Sequence, residues 1–257
     1  MKTKTCRLQL LTALILTAIA WLSFKPAQQV IHIYLAGDST MADKAKSARP
    51  EMGWGTRMTD FFDSTVVVVN KAQNGRSTQS FMAEGKWKEI INVASAGDYV
   101  LIQFGHNDEV ITKAAYTTEK DFQQNLLQMV KEVRNKKALP VLITPAARRK
   151  FDSLGHVVDT HLVYAELVRK VAKRNQVVLI DLAKDSQELL ATFGEEESKL
   201  LFNHLKPGQN PNYPDGKTDD THFNEFGARK MAQLVLKALR KSYADLDQRV
   251  VKSSWTK

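Results

Sequence analysis

Cysteine is almost missing: the 257 residues contain one, Cys6, in the basic stretch ahead of the first apolar run. A lipid-anchored chain needs its cysteine after that run, so lipid attachment is excluded, and beyond it there is neither a thiol nor a disulfide to staple the core. Repeats and low-complexity tracts are also absent. With 43% hydrophobic and 25% charged residues, the composition is that of an ordinary globular protein with one substantial core. No arginine-rich stripe is present, which counts against a nucleic-acid binder. Long apolar runs are scarce too. The single example, Leu8 to Phe24, is short for a membrane-spanning helix and is interrupted by Gln9, two threonines and a serine.

That run follows Lys2, Lys4 and Arg7 and ends near the small residues Ala18 and Ala20. A positive segment, an apolar segment and a small-residue cleavage site make residues 1–27 a signal peptide, so the protein is expected to be secreted or periplasmic, with no stable membrane association after cleavage. The formal charge of +9 falls once the leader is removed, since four basic residues and no acids leave with it; 33 basic and 28 acidic residues remain. The surplus suits an acidic polymer or a solubilising surface equally well. Residues 28–245 then form a single domain, and residues 246–257 a polar, loosely held tail.

Five short runs rich in Val, Ile and Leu read as buried parallel strands: residues 30–37, 66–72, 98–105, 138–145 and 175–182. Between and after them, residues 120–136, 159–174 and 224–243 carry apolar residues at helical spacing. Alternating strand and helix predicts a three-layer α/β/α sandwich around a five-stranded parallel sheet, flavodoxin-like, with its site at the carboxyl ends of the strands. Residues 198–221 hold three prolines and two glycines with little pattern, and a long irregular connection inside such a domain points to function.

Polar residues gather where the strands end. The first run stops at Gly37-Asp38-Ser39-Thr40; the second leads to Asn74-Gly75-Arg76-Ser77; the third ends in Gly105-His106-Asn107-Asp108; and Asp219 precedes His222 by three residues ahead of the last helix. Ester cleavage requires a nucleophile, a base, an acid to orient it, and donors for an oxyanion. Ser39, His222 and Asp219 supply the first three. No Gly-x-Ser-x-Gly elbow is present, so the α/β-hydrolase arrangement is excluded. "DGKT" at 215–218 fails as a phosphate loop, because Pro211 stands where the first glycine belongs.

These four blocks, in this order, resemble those of the GDSL, or SGNH, hydrolases over about residues 30–240. "GDST", Gly53-Trp54-Gly55, "NGRS", "FGHND" and "DDTHF" are similar to the rhamnogalacturonan acetylesterase branch, with Asp220 where an asparagine is more usual. The resemblance implies a serine esterase that needs no cofactor and no metal. It implies an oxyanion hole made of the Ser39 amide, the Gly75 amide and the Asn107 side chain. It also implies an acetylated acidic polysaccharide as substrate, acetylated xylan or a lipid ester being the alternatives; no amphipathic lid favours the last. Trp54 either stacks on a sugar or fills the core. Arg148 and Arg149 either meet substrate carboxylates or, with Lys150, line a solvated face. His106 supports the turn around Asn107, and His156 and His161 read as solvated loop histidines.

Overall fold

The computed structural model describes residues 29–251. Strands β1 (Ile31–Gly37), β2 (Val66–Asn70), β3 (Tyr99–Gln103), β4 (Leu139–Ile143) and β5 (Val178–Ile180) form one parallel sheet in the order β2-β1-β3-β4-β5. This is the flavodoxin-like order, and the winding reverses between β1 and β3. The pleat divides the core in two. Ile33, Leu35, Leu101, Val141 and Ile143 bury on one face, and Tyr34, Ala36, Val100, Ile102 and Leu142 on the other.

Helices cover both faces. Helices α1 (Thr78–Ala83), α2 (Lys86–Val93), α3 (Glu119–Asn135) and α4 (Leu162–Arg174) pack on the second face; α5 (Leu182–Glu197), α6 (Glu225–Ser242) and a 3-10 turn at Trp54–Phe61 pack on the first. In α3, Phe122, Leu126, Met129, Val130 and Val133 form the buried stripe, and Thr118 caps the helix by accepting from the Asp121 amide. Helix α6 starts where the Asn224 side chain accepts from the Gly227 amide at 3.0 Å. A Cβ on Gly227 would lie 1.8 Å from the Leu201 carbonyl oxygen, so only glycine lets the helix seat against the preceding loop.

The predicted strands are present with frayed ends, the fifth reduced to three residues. Helix α5 has no counterpart in the sequence reading; Leu182, Ala183, Ser186 and Leu190 bury one side of it, and Gly194 breaks it at φ 74°. Residues 198–221 are largely irregular, tied by isolated bridges between Phe202 and Phe223 and between Leu205 and Lys217. The C-terminal expectation needs correction. Residues 244–250 are anchored, while 252–257 lie outside the described residues: α7 (Ala244–Gln248) buries Leu246, Arg249 is 5% exposed, and Val250 pairs with Phe62. Apolar Leu246 and the Arg249 guanidinium, which donates to the Thr65 carbonyl at 3.1 Å, hold a segment that reads as polar. No helix among the described residues is long and apolar enough to cross a membrane; the leader lies outside those residues.

Candidate active site

The loop after β1 is built from backbone turns and one buried chain of side chains. The Asp38 carbonyl accepts from the Met41 and Ala42 amides, while Asp38 Oδ1 accepts from the Thr40 amide at 2.9 Å and its hydroxyl at 2.8 Å. Gln103 Nε2 donates to Thr40 Oγ1 and Gln103 Oε1 accepts from Trp54 Nε1, both at 2.7 Å. Trp54 is 0% exposed, so of its two readings the core one holds and stacking on a sugar is closed to it. The network leaves Ser39 half-buried at the strand end. Burial pushes the Asp38 carboxyl above its ordinary range, against hydrogen bonds from Thr40.

The irregular segment delivers the partners of Ser39. His222 Nε2 lies 3.0 Å from Ser39 Oγ, and His222 Nδ1 lies 2.9 Å from Asp219 Oδ2. Asp219 Oδ1 accepts from the amides of Thr221 and His222, each at 2.9 Å, so one carboxylate both shapes the turn and orients the imidazole. Burial pushes the Asp219 carboxyl up, but the hydrogen bond and attraction of the His222 ring, with the His222 and Thr221 amides, outweigh it and hold the group well below the usual carboxylate range. The loop is fastened on three sides: Met52 donates to the Phe223 carbonyl, Asn203 to that of His222, and Arg149 to that of Asp220.

Two other strand ends supply donors. Gly75 sits at φ 76°, the left-handed region that glycine tolerates best, and a Cβ there would meet nothing within 4 Å. Its requirement is therefore conformational in the free protein. Ser77, two residues on, caps α1 in a reciprocal pair with Ser80, fixing the turn to the helix. Asn107, 4% exposed, donates from Nδ2 to the Arg76 carbonyl at 3.0 Å and accepts at Oδ1 from Lys113 Nζ at 3.1 Å. Both contacts set the orientation of the amide and leave its second N–H free. Among the described residues the Ser39 and Gly75 amides have no hydrogen-bond acceptor. Asp108 ties this loop to α1 by accepting from the Thr78 amide and hydroxyl; burial pushes its carboxyl up to about 6.

The expected carboxylate readers behave differently from each other. Arg149 is 9% exposed and fully engaged, with Nε on Ser198 Oγ, one Nη on Asp220 Oδ1, the other on the Glu195 carbonyl, and its plane over Phe151. Those internal partners correct both readings, since the guanidinium neither stands free for a substrate carboxylate nor lines a solvated face. They also account for Asp220 in place of asparagine, since its carboxylate carries Arg149 at 2.9 Å and His204 Nε2 at 2.8 Å. Arg148 is half-buried and bonded to Thr221 Oγ1, the His106 carbonyl and Glu109. It borders an open groove of about 920 Å³ that includes Glu109, Lys113, Tyr116 and His161, with Ile111 and Leu162 exposed at its rim.

His156 is exposed as expected, but His161 is not: it is 1% exposed, bonded to Glu109 at 2.9 Å, and packed edge-on against His106 with centroids 4.3 Å apart. Burial and the neighbouring positive charges hold His106 well below its ordinary value, so its ring stays neutral under the Asn107 loop. Glu51, Asp219 and His222 bring one potential metal-ligating atom each within 4.8 Å of one another. Asp219 and His222 are already bonded to each other, His222 also to Ser39, and Glu51 is paired with Lys44, so these groups are committed. Lys113, Glu109, Lys44 and Glu51 escape sequence reasoning because loop charges look alike until their burial is known.

A sheet of this order, with a serine, a histidine and an aspartate meeting at its switch point, defines a flavodoxin-like hydrolase. The comparisons agree. Residues 35–230 match the GDSL-like lipase/acylhydrolase family, and the chain belongs to it. It is a carboxylic ester hydrolase by that membership. The chain is 42% identical over 211 residues to "Rhamnogalacturonan acetylesterase RhgT" of Bacillus subtilis (strain 168), covering 81% of this chain and 89% of that protein. It is 33% identical to "Probable rhamnogalacturonan acetylesterase YesY" of the same organism, covering 86% and 98%. The crystal structure of Bacillus subtilis YxiM superposes with a TM-score of 0.71 at 26% identity, covering 83% of this chain and 57% of that one.

Proposed function

We propose that the chain is a secreted esterase that removes acetyl groups from rhamnogalacturonan, the acidic backbone of pectin, through a Ser-His-Asp mechanism with an acetyl-enzyme intermediate. The observation that carries the mechanism is the pair of contacts at His222: 3.0 Å to Ser39 Oγ and 2.9 Å to Asp219. Ser39 Oγ attacks the acetyl carbonyl carbon as its proton passes to His222 Nε2, and the carbonyl oxygen takes up the negative charge. The Ser39 and Gly75 amides and Asn107 Nδ2 donate to that oxygen. When the tetrahedral species collapses, the bond to the sugar oxygen breaks and His222 returns the proton to it. Water then repeats the sequence on the acetyl-Ser39 ester, releasing acetate and restoring the hydroxyl. Asp219, held ionised, fixes the imidazole tautomer and stabilises its charged form.

The substrate reading draws on the relatives named for that activity and on the open, mixed-charge groove, where Arg148 and Lys113 stand among Glu109, Glu119 and Asp159, which suits a polar polymer better than a lipid. Secretion draws on the basic, apolar and small-residue order of the leader. Acetate release from acetylated rhamnogalacturonan, acetylated xylan and a long-chain acyl ester, measured side by side, tests the assignment. The pectic substrate is expected to turn over fastest; faster release from xylan or the acyl ester overturns the substrate and leaves the mechanism standing. Ser39→Ala should keep the wild-type melting temperature and lose about a thousandfold or more in kcat. A variant that retains most of its turnover removes Ser39 from the mechanism.

A further inference from the structure

Five residues beyond Ser39 the chain buries a lysine. The Lys44 side chain is 1% exposed, with Nζ 2.7 Å from Glu51 Oε1 and donating to Asn74 Oδ1 at 2.7 Å. Asn74 precedes Gly75 in the turn that offers the oxyanion amide. On its other side one oxygen of the Glu51 carboxylate comes within 4.8 Å of one Asp219 oxygen and one His222 ring nitrogen. One ion pair therefore bridges the donor turn and the imidazole. Buried pairs of this kind often add little net stability over apolar residues of the same size, so their presence asks for another reason.

We infer that Lys44 and Glu51 are a positioning pair which ties down the Asn74 turn and cancels charge beside His222, keeping that imidazole neutral and able to accept the Ser39 proton. The inference rests on the reading of His222 as the base. Glu51 alone would be a second carboxylate next to the ring, favouring its protonated form and closing the site at mildly acidic pH. Lys44 alone would oppose the positive charge that must form on the ring during attack. Together they leave Asp219, which orients the ring and has Lys217 Nζ 3.8 Å away, as the carboxylate that faces it.

The other charged groups around His222 come from every neighbouring element and are unchanged by the test. They are Asp38 at the end of β1, His106 after β3, Arg148 through Thr221, Lys217 near Asp219, and Asp220 with its partners Arg149 and His204. The experiment is the pH dependence of kcat/KM on p-nitrophenyl acetate for wild type, Lys44→Met, Glu51→Gln and the double variant. Lys44→Met exposes the ring to an uncancelled carboxylate, so its acid limb should move up by about one pH unit. Glu51→Gln exposes it to an uncancelled ammonium, so the limb should move down by about as much. The double variant should return to the wild-type position.

Limbs that stay together while kcat falls, or that move the same way, overturn the inference, since a merely structural pair would give no opposite shifts. If Glu51→Gln does not fold, Lys44→Arg decides against Lys44→Met: arginine must keep the wild-type limb that methionine displaces. A wild-type profile without an acid limb would instead sink the assignment of His222 as base, a failure that this comparison keeps separate.

Discussion

Asn107 shows how little freedom the site leaves a single side chain. Arg76 accepts one of its protons and Lys113 donates to its oxygen, so the remaining N–H has one direction to point. Asn107→Ala should lower kcat by about a hundred- to a thousandfold with a smaller change in KM, measured on a small acetyl ester. A loss confined to KM would make the residue one that positions substrate. Asp219 carries a second expectation. Its carboxyl is held below its ordinary value, so its contribution to stability is complete above the unfolded value of about 3.9 and disappears as pH falls toward the folded one. The gap in melting temperature between wild type and Asp219→Asn should therefore be full at pH 7 and narrow steadily below about pH 4. A gap that widens in acid would show that the carboxylate does not stabilise this loop.

At the scale of elements, the turn after β1 is supported from beneath by Trp54, whose indole N–H donates to the Gln103 side-chain oxygen, Oε1, inside the core. Trp54→Phe leaves that oxygen buried without a donor, a cost of about 1–3 kcal/mol. Calorimetry should register it as a lower melting temperature, with KM for a polysaccharide substrate unchanged. A raised KM at constant stability would return the ring to the sugar site. The same element shows what could be read in advance. β1 and β3 are apolar runs whose burial on both faces is written into their composition, and Ser39, Gly75 and Asn107 stand out because polar residues end runs that are otherwise greasy. Trp54 and Arg149 carried two readings each, since the choice depends on partners far along the chain: Gln103 is 49 residues from Trp54, and Asp220 is 71 from Arg149. The burial of His161, Leu246 and Lys44 is hidden from the sequence for the same reason. Their surroundings are assembled by the fold, and local pattern is silent about them.

For the whole molecule, the sequence carries more basic than acidic residues, and with Arg149 engaged internally the exposed Lys113 and half-buried Arg148 remain beside the groove. If these cations meet galacturonate carboxylates, KM for acetylated pectic oligomers should rise severalfold from low salt to about 0.15 M, where screening acts over about 8 Å. A small neutral acetyl ester should show no such trend. Equal salt dependence for both substrates would remove charge from recognition. Arg149→Ala, by contrast, should lower the melting temperature and act alike on both substrates, because it strips the guanidinium from Asp220.

Ser39 and His222 touch across 183 residues of sequence. The hydroxyl lies in the turn just after the first strand and the imidazole in the loop that introduces the last long helix, so they meet only when distant parts of the domain come together. By the proposed mechanism, Ser39 emerges early on a ribosome and stays inert until nearly the entire domain has been made. A fragment ending before residue 222 would carry the Gly75 and Asn107 loops and, on that proposal, hydrolyse nothing by this route. In a refolding experiment, the return of esterase activity would report the closing step of assembly, later than any signal from the central strands.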